Sequence, residues 1–173
     1  MRHCMDKHWS EEWKKKYIDP QDLPSKTREI RLQNKKIATL NGSFDLMHAG
    51  HLHIIYEASQ QADILIVALN SDQSIQKYKS PTRPIISLPY RLQMMSALSF
   101  VTYVTYFDET TPLKILSEIK PDVHVNGSEY GENCLEAETV KSHGGRLHIV
   151  PLIPGLSTSQ ILHKIAAIQS QGA

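Results

Sequence analysis

Most of what this chain has little of closes off a class of function. It has two cysteines in 173 residues, Cys4 and Cys134, far apart and in no pairing pattern. That gives no disulfide framework and points to a reducing, cytoplasmic setting. No apolar run is long enough to span a membrane, and the polar start predicts no secretory signal. The formal net charge is only +1, which gives no reason to expect nucleic acid as a partner. Internal repeats and low-complexity stretches are missing too. What is left, 40% hydrophobic and 21% charged, is ordinary for a soluble protein, and the length fits one domain with a sizeable core.

The charge is unevenly placed. Residues 1–36 carry ten Lys or Arg against six Asp or Glu, a net of +4, and residues 37–173 carry nine against twelve, a net of −3. The first 35 residues are therefore read as an N-terminal extension and residues 36–173 as the main domain. The extension holds both tryptophans, Trp9 and Trp13, and its stretch Ser10–Tyr17 is expected to be a short helix with Ser10 as N-cap. Asp19-Pro20 and Leu23-Pro24 break it. It is expected to pack on the domain or on a neighbouring subunit; a basic surface contact is the alternative.

From residue 36 onward, strand alternates with helix. Ile37–Leu40 reads as a first strand and Gly50–Gln61 as a helix. The apolar run Asp63–Asn70 is expected to be a strand buried on both faces. Ser71-Asp72 caps a short helical turn, and a loop with Pro81, Pro84 and Pro89 follows. Further helices are predicted at 90–99, 111–119, 134–143 and 157–168, with strands at 101–107, 123–125 and 147–151. This alternation predicts an α/β fold with a single, doubly wound parallel sheet. Its ligand crevice lies at the carboxyl ends of the strands.

Asn41-Gly-Ser-Phe-Asp-Leu-Met-His-Ala-Gly-His51 sits where the first strand turns into the first helix of that domain. Such a turn gathers backbone N–H groups and the positive end of a helix dipole, suited to phosphate. His48 and His51, taken alone, fit surface residues or a metal pair as well. The metal alternative lacks partners, because no His-Glu-x-x-His pattern occurs. The conjunction of strand, Gly42-x-Phe44-Asp45, His48-x-Gly50-His51 and helix shifts the balance towards a nucleotide's phosphates.

That conjunction resembles the signature of the His-x-Gly-His nucleotidyltransferases, whose Rossmann-like fold agrees with the strand–helix alternation. Within that superfamily the chain is most similar to the adenylyltransferase domain of heptose-phosphate enzymes, which make ADP-heptose for lipopolysaccharide. Next is glycerol-3-phosphate cytidylyltransferase. The likeness runs from about Lys36 to Ile168. Lys79-Ser-Pro-Thr-Arg-Pro84 looks like the Lys-Gly-x-x-Arg-Pro segment of the heptose enzymes. The resemblance implies that Lys79 approaches the triphosphate, with Ser80 in place of Gly. Arg83 is structural or touches the acceptor's phosphate, and Lys77 is a further cation for the acceptor. In a pattern similar to Pro89-Tyr-Arg91 the family's arginine binds phosphate oxygens. Gly155-Leu-Ser-Thr-Ser159 looks like the Gly-x-Ser-Thr-Ser/Thr motif. Ser157, Thr158 and Ser159 there serve a helix cap, the β- and γ-phosphates, or both. Asn126-Gly127-Ser128-Glu129-Tyr130 resembles Lys-Gly-Gly-Asp-Tyr. It departs from it at Asn126, Ser128 and Glu129, so a cation is lost at a sugar-phosphate site.

The reaction so implied is transfer of AMP from ATP to heptose 1-phosphate, giving ADP-heptose and pyrophosphate. The alternative is a CTP-dependent cytidylyltransferase acting on glycerol 3-phosphate or a similar small phosphate. His48, His51 and Lys79 are the expected catalytic residues. Asn41, Gly42, Ser43, Phe44, Gly50, Arg91, Gly127, Glu129 and the Ser157–Ser159 hydroxyls are expected to hold nucleotide and phosphate. Asp45, Lys77, Arg83 and Asn126 are expected at the acceptor. Mg²⁺ is expected as the cofactor, carried in by the nucleoside triphosphate, with no metal site built from side chains. No nucleic acid and no membrane partner is expected, and family members usually pair as homodimers. No kinase domain is read in these residues, so a separate polypeptide is expected to supply the sugar phosphate.

Overall fold

The computed structural model describes residues 9–131 and 133–171. Cys4 and the proposed Ser10 cap side chain lie outside what is described. The chain opens with α1 (Trp9–Glu12), a 3₁₀ turn over Trp13–Lys16 and another over Pro20–Asp22. Then come α2 (Leu23–Leu32), β1 (Ile37–Gly42), α3 (Ala49–Ser59), β2 (Ile64–Asn70), α4 (Asp72–Tyr78) and α5 (Leu88–Ser96). The second half holds β3 (Tyr103–Phe107), α6 (Leu113–Ile119), β4 (Val123–Gly127), α7 (Ala137–Ser142), β5 (Arg146–Val150) and α8 (Thr158–Gln171).

The five strands form one parallel sheet in the order β3-β2-β1-β4-β5. The direction of winding reverses between β1 and β4, so the crevice of this doubly wound fold opens at their carboxyl ends. β2 is buried at every position, and its residues alternate between two cores. Leu65, Val67 and Leu69 join Ile55 of α3 and Leu92 and Met95 of α5 on one face. Ile64, Ile66 and Ala68 join Ile115 and Ile119 of α6 on the other. A strand buried on both faces is expected to be a near-continuous apolar run, as this one is up to Asn70 at its end. Among the described residues no helix is long and apolar enough to cross a membrane.

The described part of the extension packs on both cores: Trp13 and Tyr17 lie against the first, and Ile18, Leu23 and Ile30 belong to the second. Leu23, Thr27 and Ile30, spaced i, i+4 and i+7, are the buried residues of α2. Leu23 and Ile30 pack with Ile37, Ile64 and Ile66. Arg31 ties α2 to the end of α6 through the carbonyls of Ile119 (2.8 Å) and Lys120. Tyr17 forms a parallel bridge with Val104, and the Ile18 N–H donates to the Val104 carbonyl at 2.9 Å.

Boundaries shift where local chemistry decides. Pro89, expected in the loop, sits in the first turn of α5, where a missing N–H costs nothing. Lys77, expected on a loop, lies in α4, which Ser71 caps by accepting from the Ser74 N–H at 3.2 Å. The helix expected from Cys134 begins only at Ala137.

Leu23→Ala should lower the unfolding free energy by about 2–5 kcal/mol, because a fully buried leucine is replaced by a cavity. Urea unfolding measures it, and a loss below about 1 kcal/mol would show that α2 is not part of the cooperative core.

Candidate functional site

A cavity of about 470 Å³ opens where the carboxyl ends of β1 and β4 diverge. Asn41, Gly42, Ser43 and Phe44 bring the end of β1 into its wall, and His48, Gly50 and His51 bring the first turn of α3. Lys79 comes from the end of α4, Asn126, Gly127 and Glu129 from the end of β4, and Ser157 and Thr158 from the start of α8. Residues far apart in the chain are thus assembled by the parallel topology alone.

The two histidines are stacked, with ring centroids 3.9 Å apart and planes at 28°. His51 also meets the Phe44 ring edge-on at 5.4 Å. Two glycines make room for this arrangement. A Cβ on Gly50 would lie 3.1 Å from the His48 ring, and one on Gly42 would lie 3.0 Å from the Phe44 ring. Phe44 itself takes a left-handed φ of 46°, a conformation that costs a bulky residue free energy unless its surroundings enforce it. Burial of its ring in the core does so here.

The Nδ1 atoms of His48 and His51 and the Oδ1 atom of Asn41 are buried without a hydrogen-bond partner. Unsatisfied polar atoms are costly, and these three belong to residues that line one cavity. Burial, then the neighbouring His48 and Lys79, push the His51 pKa down to about 4. Burial lowers that of His48. Both rings are neutral near pH 7, and a bound phosphate would favour their charged, doubly donating form. Lys79 reaches the Ser43 hydroxyl at 2.7 Å, and burial followed by the nearby Arg83 lowers its pKa.

Five of the residues expected at the site do not line the cavity: Asp45, Lys77, Arg83, Arg91 and Ser159. Arg91 is 1% exposed. Its Nη1 donates to the carbonyls of Ser43 (2.6 Å) and Asn70 (2.9 Å), its Nε to that of Ile86 (2.9 Å), and its Nη2 to Asp72 Oδ1 (2.7 Å). With these donors spent on the protein, Arg91 fixes the position of Ser43 from behind. Asp45 plays a similar part. It accepts from the Ile85 and Ile86 N–H groups at 2.8 Å each and from Arg83 Nε at 2.6 Å. Burial would raise its pKa, but these bonds bring it below the ordinary value. Arg83 thus serves the structural role that the sequence left open. Lys77 is exposed on α4.

The cavity wall also contains residues that sequence reasoning passed over: Tyr78, Thr110, Thr111, Glu136 and the apolar Leu152, Ile153 and Leu156. Thr110 and Thr111 follow the carboxyl end of β3, so the crevice rule pointed to them. Glu136 carried no comparable signal. Among the described residues no group of three or more His, Cys, Asp or Glu side chains is arranged to hold a metal.

Strand order and cavity define a doubly wound protein with a phosphate-suited site at its switch point. Residues 39–164 match the cytidylyltransferase-like family, and the chain belongs to that family. It is similar to the bifunctional protein HldE of Syntrophotalea carbinolica, 39% identical over 143 residues, which is 82% of this chain and 29% of that protein. It is 41% identical over 138 residues to the bifunctional protein HldE of Pseudomonas putida, covering 79% of this chain and 29% of that one. The chain therefore spans about 29% of the length of these curated relatives. Among solved structures, the lipopolysaccharide core biosynthesis protein of Thermoplasma volcanium superposes with a TM-score of 0.56 at 27% identity, covering 69% of this chain and 97% of that one. Pantoate-beta-alanine ligase of Francisella tularensis superposes with a TM-score of 0.60 at 17% identity, covering 89% and 78%, a likeness of fold alone.

Arg91→Met should destabilise the protein by about 3 kcal/mol, since the buried Ser43 and Asn70 carbonyls lose their donor. Urea unfolding separates the roles: full stability with lost nucleotide affinity would assign Arg91 to phosphate instead. A second expectation concerns acid. The folded pKa values of His51 and of the fully buried His124, each near 4, lie below the ordinary 6.5. Their contribution is present above about pH 6.5 and is lost as pH falls towards 4. The urea midpoint should decline across that window, and a flat profile would contradict the assignment.

Proposed function

We propose that this chain transfers AMP from ATP to heptose 1-phosphate, releasing pyrophosphate and forming ADP-heptose. The stacked His48–His51 pair, with unpartnered Nδ1 atoms at a cavity that also receives Lys79, carries the reading. The motif resemblance to the heptose-phosphate enzymes narrows the substrates. Kinship with the HldE proteins and with the lipopolysaccharide core biosynthesis protein agrees with it.

The ionised phosphate of the acceptor attacks the α-phosphorus of ATP in line, a new P–O bond forms, and the bond to the β-phosphate oxygen breaks. The electron pair leaves with pyrophosphate. No side-chain nucleophile is required, so the protein's task is positioning and stabilising charge. His48 and His51 donate hydrogen bonds to phosphate oxygens as negative charge builds, and take up protons more readily once the anion is present. Lys79 neutralises the triphosphate, while Ser157 and Thr158 at the start of α8 present hydroxyls and N–H groups to its distal phosphates. Mg²⁺ fits a place on the triphosphate rather than in a protein cage, since it keeps several waters and takes few protein ligands. Bound there it would supply charge neutralisation. Gly127 and Glu129, at the mouth, contact the nucleoside, and Asn126 the acceptor. The chain is proposed to act as a homodimer.

Pyrophosphate release with Mg²⁺ tests the reading, with ATP and CTP each paired with heptose 1-phosphate and glycerol 3-phosphate. Release is expected from ATP with heptose 1-phosphate. Release only from CTP with glycerol 3-phosphate would replace this reading by the cytidylyltransferase one. His48→Ala and His51→Ala should each lower kcat by about 10²-fold or more, the scale of losing one donor to a developing oxyanion, with the urea midpoint kept near that of the parent.

A further inference from the structure

The roles given so far leave one buried group of the cavity, Glu136 beside Asn126, unexplained. Asn126, near the end of β4, is 4% exposed, and Glu136, just before α7, is 7% exposed; both line the cavity. Asn126 Nδ2 lies 3.4 Å from Glu136 Oε2 and 3.2 Å from Cys134 Sγ. The Glu136 side chain does not cap α7. Among the described residues no Lys, Arg or His forms an ion pair with it. A carboxylate taken out of water needs donors. It can accept about four hydrogen bonds, and the long amide contact with Asn126 and the Cys134 thiol leave part of that capacity. The rest is available to whatever fills the cavity.

The shape of the cavity narrows what that is. Leu152, Ile153 and Leu156 are exposed and line the cavity, and Glu129 and Tyr130 are exposed beside them. This open, partly apolar rim suits a nucleobase and its ribose. The buried floor is left to the smaller reactant. A carboxylate there attracts hydroxyl or ammonium donors and repels a second anion.

We propose, building on the transferase reading, that Glu136, steadied by Asn126, selects the acceptor: it accepts hydrogen bonds from hydroxyl groups remote from the acceptor's single phosphate and rejects an acceptor carrying a second anionic group there. The place where the heptose enzymes have a lysine is thereby occupied by an amide–carboxylate pair of opposite electrostatic sense. The selection is for a polyhydroxylated phosphomonoester.

Calorimetric titration of the full chain tests this, using heptose 1-phosphate, the same sugar with a second phosphate on its terminal carbon, ATP and 2′-deoxy-ATP. Glu136→Gln, which keeps the shape and removes the charge, should bind heptose 1-phosphate about tenfold or more less tightly, the scale of a lost hydrogen bond to a charged group. Its ATP affinity should stay within about twofold, which also shows that the site is folded. The parent chain should bind the bisphosphate about tenfold less tightly than the monophosphate, with the gap closing in Glu136→Gln and persisting in Glu136→Asp. If Glu136→Gln no longer holds ATP, Glu136→Asp carries the comparison. Unchanged affinity of Glu136→Gln for heptose 1-phosphate overturns the proposal. So does a loss confined to ATP and smaller for 2′-deoxy-ATP, which would assign the carboxylate to the ribose. Pyrophosphate release by the parent with sugar affinity unchanged in Glu136→Gln would leave the transferase reading standing and this one not. Glu136-dependent sugar binding without release would do the reverse. A parent chain that binds no heptose 1-phosphate overturns both.

Discussion

The Arg91 guanidinium is buried among backbone carbonyls from three separate segments: the β1–α3 turn at Ser43, the end of β2 at Asn70 and the loop before α5 at Ile86. Asp72 at the head of α4 closes the fourth side and also accepts from the Leu88 N–H at 2.9 Å. A planar, permanently charged fork can bridge such carbonyls at fixed angles, and a lysine cannot. The consequence reaches the cavity through Ser43. Its carbonyl is held by Arg91 and its hydroxyl meets Lys79, so the turn that carries the histidines and the helix end that carries the lysine share one anchor. Asp45 adds a second tie between the same turn and the loop at Ile85 and Ile86.

Much of this arrangement was legible in the chain. The near-continuous apolar run at β2 announced a strand with two buried faces, and the glycine-bearing turn before α3 announced where the end of β1 meets the cavity. The crevice rule then placed the Asn126, Ser157 and Lys79 segments around one opening before any coordinate was needed. These readings worked because each rests on local periodicity or on topology, which short stretches of sequence encode.

What was not legible depends on direction and on distance. An arginine in the first turn of a helix reads the same whether its fork points outward to a phosphate or inward to carbonyls, and only packing decided for Arg91. Asp45 was expected at the acceptor and Arg83 either there or in a structural role; the two pair with each other, and Asp45 also accepts from the Ile85 and Ile86 N–H groups. Glu136 meets Asn126 across a loop of irregular structure, so no spacing pattern connected them. The extension is a different case. Packing of the extension on the domain was expected, but which residues do it was not, although Leu23, Thr27 and Ile30 have the helical spacing of a buried face.

The Ile18–Val104 bond also has a meaning for assembly. A sheet with two open edges can recruit strands without limit, whereas one with a single open edge can pair once and then stops. The segment at Tyr17 and Ile18 meets β3 at Val104, through one bridge and one hydrogen bond. Among the described residues the outer side of β5 has no strand beside it. Pairing along β3 would have to displace the Tyr17–Val104 bridge, whereas among the described residues pairing along β5 displaces no strand.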